Sequence, residues 1–255
     1  MPRHARCIFP GIPHHVTQRG NHRREVFFER GDGLAYLHLL RQSTERHAIE
    51  IAAYCLMPNH VHLVVVPSTV DGLHRALKVV HGRYAQRVNR MRKRTGHLWQ
   101  DRYFSSPLDS SHFLNAVRYV ELNPVRAGIV DHGESYEWSS AAAHCDLRSD
   151  SLVTNRPRSI LFRRIDNWSK WLADGLTREC IEMLRRHTSQ NLPCGSEEFV
   201  NELESAAGRP LHYRPRGRPP APPKEDDTSV SFVKRLASPL GKGDGHPLEK
   251  VSVPF

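Results

Sequence analysis

Two histidines one residue apart, His60 and His62, are the first side chains in this 255-residue chain whose types and spacing suit chemistry. On a strand, residues i and i+2 point to the same face, so both imidazoles can reach one metal ion. Spacing alone is weak ground, because 17 histidines scattered over the chain would give roughly one such triplet by chance. Context strengthens it. A Pro58-Asn59 break delivers the chain into an apolar run, His60 to Val66, and two polar side chains on an otherwise buried element need a partner. Tyr119 and Asn123 form the second pair. Residues i and i+4 of a helix share a face, so a phenol oxygen and an amide can converge there on a site presented by a neighbouring strand. Taken singly, a helical tyrosine is ordinarily core packing and an asparagine before proline ordinarily ends a helix, so the reading rests on both pairs together.

The elements that must position these groups can be read from hydrophobic patterning. Ile12 to Gln18 reads as a short strand, followed by a basic loop from Arg19 to Arg24. Leu34, Ala35, Leu37 and Leu40 have helical spacing within residues 32–46. Ile49 to Met57 and His60 to Val66 suit two adjacent strands with a tight connection. Residues 71–93 form a long amphipathic pattern, with Leu73, Leu77, Val80, Tyr84 and Val88 on one side and Arg83, Arg87, Arg90 and Arg94 on another. Arg102 to Leu108 is predicted as a strand, and Ser110 to Leu122 as a helix begun by Ser110 or Ser111 and stopped before Pro124. This order predicts an α+β, ferredoxin-like fold over residues 1–130: an antiparallel sheet with helices on one or both faces. Residues 131–157 are expected to trail back over it through Trp138. Residues 158–208 then read as a small helical accessory unit, with helices from Leu161 to Trp171, Thr177 to His187 and Ser196 to Ala206, Ser196 as N-cap and Gly208 as stop. Residues 209–255 are basic and rich in Pro and Gly, and are expected to be disordered. Their RPRGRPP stretch suits either a solvated tail or a hook in the minor groove of DNA.

Charge points to a partner. Residues 1–130 hold 19 Lys and Arg against 9 Asp and Glu, whereas residues 131–255 hold 18 of each sign, so the whole net charge of +10 lies in the first half. Clustered cations gain affinity for polyanions by releasing counterions from phosphates, although a solubilising surface would look the same. Six of the positive charges fall within the twelve residues from Arg83 to Arg94. No apolar run reaches the roughly 18 to 20 residues that span a bilayer, and the first residues lack a signal-peptide core, which predicts a cytoplasmic, nucleoid-associated protein without a membrane partner. Five widely spaced cysteines with no C-x-x-C pair argue for reduced thiols rather than disulfides or a cysteine zinc site.

Four stretches taken in order, PGIPHHVTQRGN (10–21), MPNHVHLVV (57–65), GHLWQDRYFSSPLD (96–109) and RYVELNPVRAGIV (118–130), resemble the REP-associated tyrosine transposases of the single-tyrosine HUH superfamily, the IS200-like transposases. The similarity covers residues 1–143 and weakens afterwards, although GSEEFVNELE, GRPL and RPRGRP are similar to the extension of longer members. The resemblance implies an HUH nuclease fold with His60 and His62 as metal ligands, Asn123 at the third ligand position and Tyr119 as nucleophile. It also implies recognition of a hairpin with a short flanking tetranucleotide, and an active site assembled either within one chain, as a monomer, or across a homodimer.

From those roles a mechanism follows. A free phenol has a pKa of about 10, so its attack on phosphorus needs help near neutrality. A divalent cofactor, Mg²⁺ or Mn²⁺, held by His60, His62 and Asn123 would act as Lewis acid on the scissile phosphodiester of single-stranded DNA. Tyr119 would then form a 5′-phosphotyrosine and release a 3′-hydroxyl able to rejoin strands. Arg19, Arg23, Arg24, Arg83 and Arg87 are candidates for the DNA phosphates, and Trp99 and Tyr103 suit either base stacking or the core. Two other readings stay open: a domesticated hairpin-binding protein with little or no cleavage, and a metal-dependent hydrolase using the H-x-H pair, for which the sparse acids Asp101, Asp109 and Glu121 offer no common face.

Overall fold

The structure is a computed structural model that describes residues 6–153, 162 and 165–213. Strand β1 (His14–Arg19) is followed by helix α1 (Arg30–Arg46), and two antiparallel strands, β2 (Ile49–Met57) and β3 (His60–Pro67), meet at the Pro58-Asn59 turn. Helix α2 (Gly72–Met91) leads to β4 (Phe104–Pro107) and then α3 (Ser110–Glu121). The strands pair in the order β2-β3-β1-β4, every neighbour antiparallel. That is the expected α+β, ferredoxin-like arrangement. Each βαβ unit straddles a strand belonging to the other, which places β1 and β3 at the centre and lets the histidine-bearing strand lie fully inside the sheet.

Alternation along β3 sorts its side chains between two cores. Val61, Leu63 and Val65 pack with Tyr36 and Leu40 of α1 and Leu73, Leu77, Val80 and Tyr84 of α2. Val64 turns the other way, towards Phe113, Ala116, Val117 and Val120 of α3. His62 shares that parity. The chemistry-bearing face of β3 is therefore the face that α3 covers, which brings Tyr119 to the histidines.

Asp109 begins α3, its side chain accepting a hydrogen bond from the backbone N–H of His112 at 2.8 Å. This corrects the expectation that Ser110 or Ser111 would cap the helix. Both serines lie inside the first turn, and Ser111 donates its hydroxyl to the same carboxylate. After Leu122 a short turn of helix, α4 (Asn123–Arg126), carries Pro124 at its second position, where a missing N–H costs nothing. So the proline does not end the helical path beyond Tyr119.

Trp138 returns the chain to the β2 edge of the sheet. Its carbonyl accepts from the N–H of Leu56, and its ring lies against Gly33 of α1, where an added Cβ would stand 2.5 Å from it. The next helices are α5 (Ala141–His144), α6 (Trp168–Ala173), α7 (Arg178–Gln190) and α8 (Glu197–Ala207). Thr177 and Ser196 cap α7 and α8, and Gly208 ends α8 in the left-handed conformation that glycine accepts most readily. Trp168, Leu172 and Leu184 enter the same core as α3. The segment after α7 is stitched to the outer edge of β4: Cys194 donates to the carbonyl of Pro107, the hydroxyl of Ser106 to that of Leu192, and Asn191 accepts from Ser105. Edge groups of the sheet are thereby paired. The expected Leu161–Trp171 helix starts late: residues 165–167 are not helical, and Asn167 caps α6 at Trp168 by accepting from the Lys170 N–H, while residues 161, 163 and 164 and the expectations for residues 214–255 lie outside the described residues. Among the described residues no helix is long and apolar enough to cross a membrane.

Candidate active site

His60 and His62 point from β3 with their ring centroids 4.9 Å apart and their planes at 78°. Nδ1 of His60 lies 2.5 Å from Oδ1 of Asn59, and Nδ1 of His62 lies 2.9 Å from Nε2 of His15. His15 in turn reaches the hydroxyl of Thr188 on α7 through its Nδ1, at 2.8 Å. One assignment of protons satisfies the whole chain: each imidazole carries its proton on Nδ1, and His62 donates to His15, which donates to Thr188. Nε2 of both His60 and His62 then keeps its lone pair for another partner.

Burial secures the neutral form. It pushes His60 down to about 4, with Arg19 adding to the shift, and His15 down to about 3, with Arg126 adding. His62 falls well below the ordinary histidine value, first through burial and then through the neighbouring His60, His15, Arg126 and Arg19. At neutral pH all three imidazoles present lone pairs rather than charge, the state a metal ion requires.

Tyr119 is 4% exposed, and its ring stands edge-on to His62 and to His15, each at 5.5 Å between centroids. The guanidinium of Arg126 lies 4.1 Å from the centre of the phenol ring and donates to the Tyr119 carbonyl at 2.7 Å. Nε of Arg185, on α7, donates to the Tyr119 hydroxyl at 3.3 Å. Asn123 follows one helical turn later, 7% exposed, and its amide nitrogen is buried without a partner. Among the described residues no group of three or more His, Cys, Asp or Glu is placed to hold a metal ion. Two open imidazole nitrogens, with an amide oxygen from Asn123, would be a donor set compatible with a divalent cation.

The other candidates divide. Arg19 faces His60 across the β1–β3 ladder, and the loop bearing Arg23 and Arg24 is tied to the histidine turn by the side chain of Asn59, which donates to the Arg23 carbonyl. These three arginines are exposed beside the site. Arg83 and Arg87 are exposed too, but on α2, the helix that covers the opposite face of the sheet from Tyr119. Trp99 belongs to the core: it packs with Tyr36, His81 and Tyr84 and donates its indole N–H to the His81 carbonyl. Tyr103 is 6% exposed under the guanidinium of Arg6. Asp101, Asp109 and Glu121 do not join the histidines; Asp109 caps α3 and Glu121 is turned towards Ser140, His144 and Trp168.

Sequence reasoning did not find His15, Arg126, Thr188 or Arg185. His15 could have been found, since it sits in the quoted PHHV stretch on a predicted strand. Thr188 and Arg185 carry no sequence signal, because nothing local says that α7 docks over β1. His15 orients His62, and were His62 to hold a metal, an outer-shell partner of this kind would change metal affinity about 10- to 100-fold. His15→Ala is therefore expected to weaken Mn²⁺ binding to the DNA-free protein within that range, read by electron paramagnetic resonance. Unchanged affinity would reduce His15 to packing.

Residues 10–123 match the family model described as "Transposase IS200 like". A curated protein of Haemophilus influenzae, "Putative REP-associated tyrosine transposase", is 23% identical over 121 residues, which cover 43% of this chain and 68% of that one. A solved structure of a REP-associated tyrosine transposase bound to a REP hairpin superposes with a TM-score of 0.50 at 16% identity, over 61% of this chain and 98% of that one, which supports the shared fold. A crystal structure of a putative transposase from Deinococcus radiodurans matches at 21% identity with a TM-score of 0.32, over 48% of this chain and 96% of that one. In its sequence over residues 10–123 and in its fold, this chain resembles the IS200-like transposases and, among them, the REP-associated tyrosine transposases.

Proposed function

We propose that this protein is a transposase that cleaves and rejoins single-stranded DNA at REP-type hairpins through a 5′-phosphotyrosine, with Tyr119 as nucleophile and a divalent metal, Mg²⁺ or Mn²⁺, at His60, His62 and Asn123. One observation carries the reading: the Tyr119 phenol is packed against a pair of neutral histidines whose Nε2 atoms are open, all within one chain. The hairpin bound by the structural neighbour supports the substrate class.

When bound, the metal would supply Lewis-acid polarisation of the scissile phosphodiester. The chain's own residues do the rest. His60 and His62 stay uncharged through burial, α3 and Arg126 fix the phenol ring, and Arg19, Arg23 and Arg24 line the approach with positive charge for the flanking phosphates. Phenol oxygen bonds to phosphorus as the bond to the 3′ oxygen breaks. The energy of the broken phosphodiester stays in the phosphotyrosine, so rejoining needs no nucleotide.

The test is a labelled single-stranded REP hairpin incubated with the protein and Mg²⁺ or Mn²⁺, then run on a denaturing gel. A protein–DNA adduct that disappears with a chelator is expected. Hairpin binding without an adduct in either metal would turn the reading into that of a domesticated binding protein, and cleavage without an adduct into that of a hydrolase.

A further inference from the structure

The accessory helix α7 lies beyond residues 10–123, yet it places a cation on the nucleophile's oxygen. Its hold on the sheet is firm. Leu184 is wholly buried in the core that α3 shares, Thr188 is hydrogen bonded to His15, and the residues after Gln190 are laced to β4. Arg185 is flanked by these anchors, so its position is set by packing rather than by a flexible loop. It is exposed except where Nε meets Tyr119.

A second guanidinium meets the same side chain. Arg126 stacks under the phenol ring, and its Nε and Nη1 are buried without partners. Burial, and after it Arg185, lower the pKa of Arg126, against the opposing influence of Tyr119. Among the described residues no carboxylate pairs with either arginine. Two cations facing one phenol, with no acid between them among the described residues, are well matched to an anion formed there.

Resting on the transposase reading, we propose that Arg185 is a catalytic residue of the strand-transfer reaction, donating to the Tyr119 oxygen and then to the phosphoryl oxygens of the scissile group, with Arg126 as the positioning residue beneath the ring. In the step, the phenol oxygen bonds to phosphorus and the 3′ oxygen leaves with its bonding pair. The phenol proton is lost to water, and the 3′ oxygen takes one up to become a hydroxyl. Both guanidinium groups stay charged throughout and exchange no proton. The accessory unit is then part of the catalytic centre. Because rejoining passes through the same transition state, Arg185 serves it equally.

Single-turnover adduct formation on the labelled hairpin in Mn²⁺ tests this, alongside hairpin affinity and the melting temperature of each variant. Arg185→Ala is expected to slow adduct formation about 100-fold, as loss of one preorganised donor does. Hairpin affinity should change less than about threefold and the melting temperature should hold, since one rim contact supplies little of either. Arg185→Lys should recover at least part of the rate. An unchanged rate in Arg185→Ala overturns the proposal, as does a rate loss matched by weaker hairpin binding or by a lowered melting temperature in both variants. If the wild type itself forms no adduct, the transposase reading fails and this role with it; an adduct in wild type and an equal one in Arg185→Ala sinks this role alone.

Discussion

Tyr119→Phe is expected to bind the REP hairpin as tightly as wild type and to form no covalent adduct, a fall of roughly 10⁴-fold or more in rate, as for the loss of other nucleophiles. The substitution is clean because the ring keeps its surroundings. Its edge-on contacts to His62 and His15 and the guanidinium of Arg126 all involve ring carbon, so only the oxygen and its bond from Arg185 are lost. Rival nucleophiles are poorly placed. Burial pushes the phenols of Tyr36, Tyr54, Tyr84, Tyr103 and Tyr136 above the ordinary range. Four of those hydroxyls are also engaged: Tyr54 with Asp150, Tyr84 with the Val26 carbonyl, Tyr136 with the Leu56 carbonyl and Tyr36 with His81. Tyr213 stands exposed near Arg186, stacked on His187. An adduct surviving in Tyr119→Phe, mapped to any other residue, would remove Tyr119 from the mechanism.

The fold of the first half, and the meeting of Tyr119 with the histidine pair, were legible in the sequence because their signals are local. Strand alternation put His60 and His62 on one face, helical spacing put Tyr119 and Asn123 on another, and the strand–helix order left few topologies in which a central β3 could meet α3. What surrounds the pair was not legible, because it depends on docking. His15 reaches His62 only through the β1–β3 register, in which His15 opposes Val64 and Thr17 opposes His62. Thr188 and Arg185 reach the site only because Leu184 and the segment after Gln190 fix α7 across β1 and β4. Arg126 illustrates a third obstacle. It stands in the stretch that carries the resemblance, but Pro124 suggested that the helix ends before it, whereas α4 continues far enough to turn its guanidinium back under Tyr119. The basic face of α2 shows the limit of charge density, which marked Arg83 and Arg87 without saying which face of the sheet their helix would cover.

Glu121 is where the helical unit is fastened to the catalytic helix, and Glu121→Ala is expected to carry the largest stability loss of any substitution considered. Two residues beyond Tyr119, it points to the far side of α3, with no solvent exposure. One carboxyl oxygen meets the hydroxyl of Ser140 at 2.5 Å and Nδ1 of His144 at 2.6 Å, and the other accepts the indole N–H of Trp168 at 2.7 Å. A single side chain thus joins α3 to α5, its cap residue and α6. Truncation would leave up to three buried polar groups without a partner and open a void among Phe162, Trp168 and His144, whose rings pack together. Each unsatisfied buried group costs about 1–3 kcal/mol, and partial relaxation reduces the sum, which puts the loss at about 3 kcal/mol. At roughly 2–4 °C per kcal/mol for a domain of this size, the melting temperature should fall by about 6–12 °C. Glu121→Gln keeps one acceptor and the volume, so it should lose less than half of that. Calorimetry of the three proteins decides the matter: a Glu121→Ala melting temperature within about 2 °C of wild type would mean that the carboxyl group does not hold the helical unit against α3, and the firm placement of Arg185 and Thr188 would then rest on α7 and its β4 stitching alone.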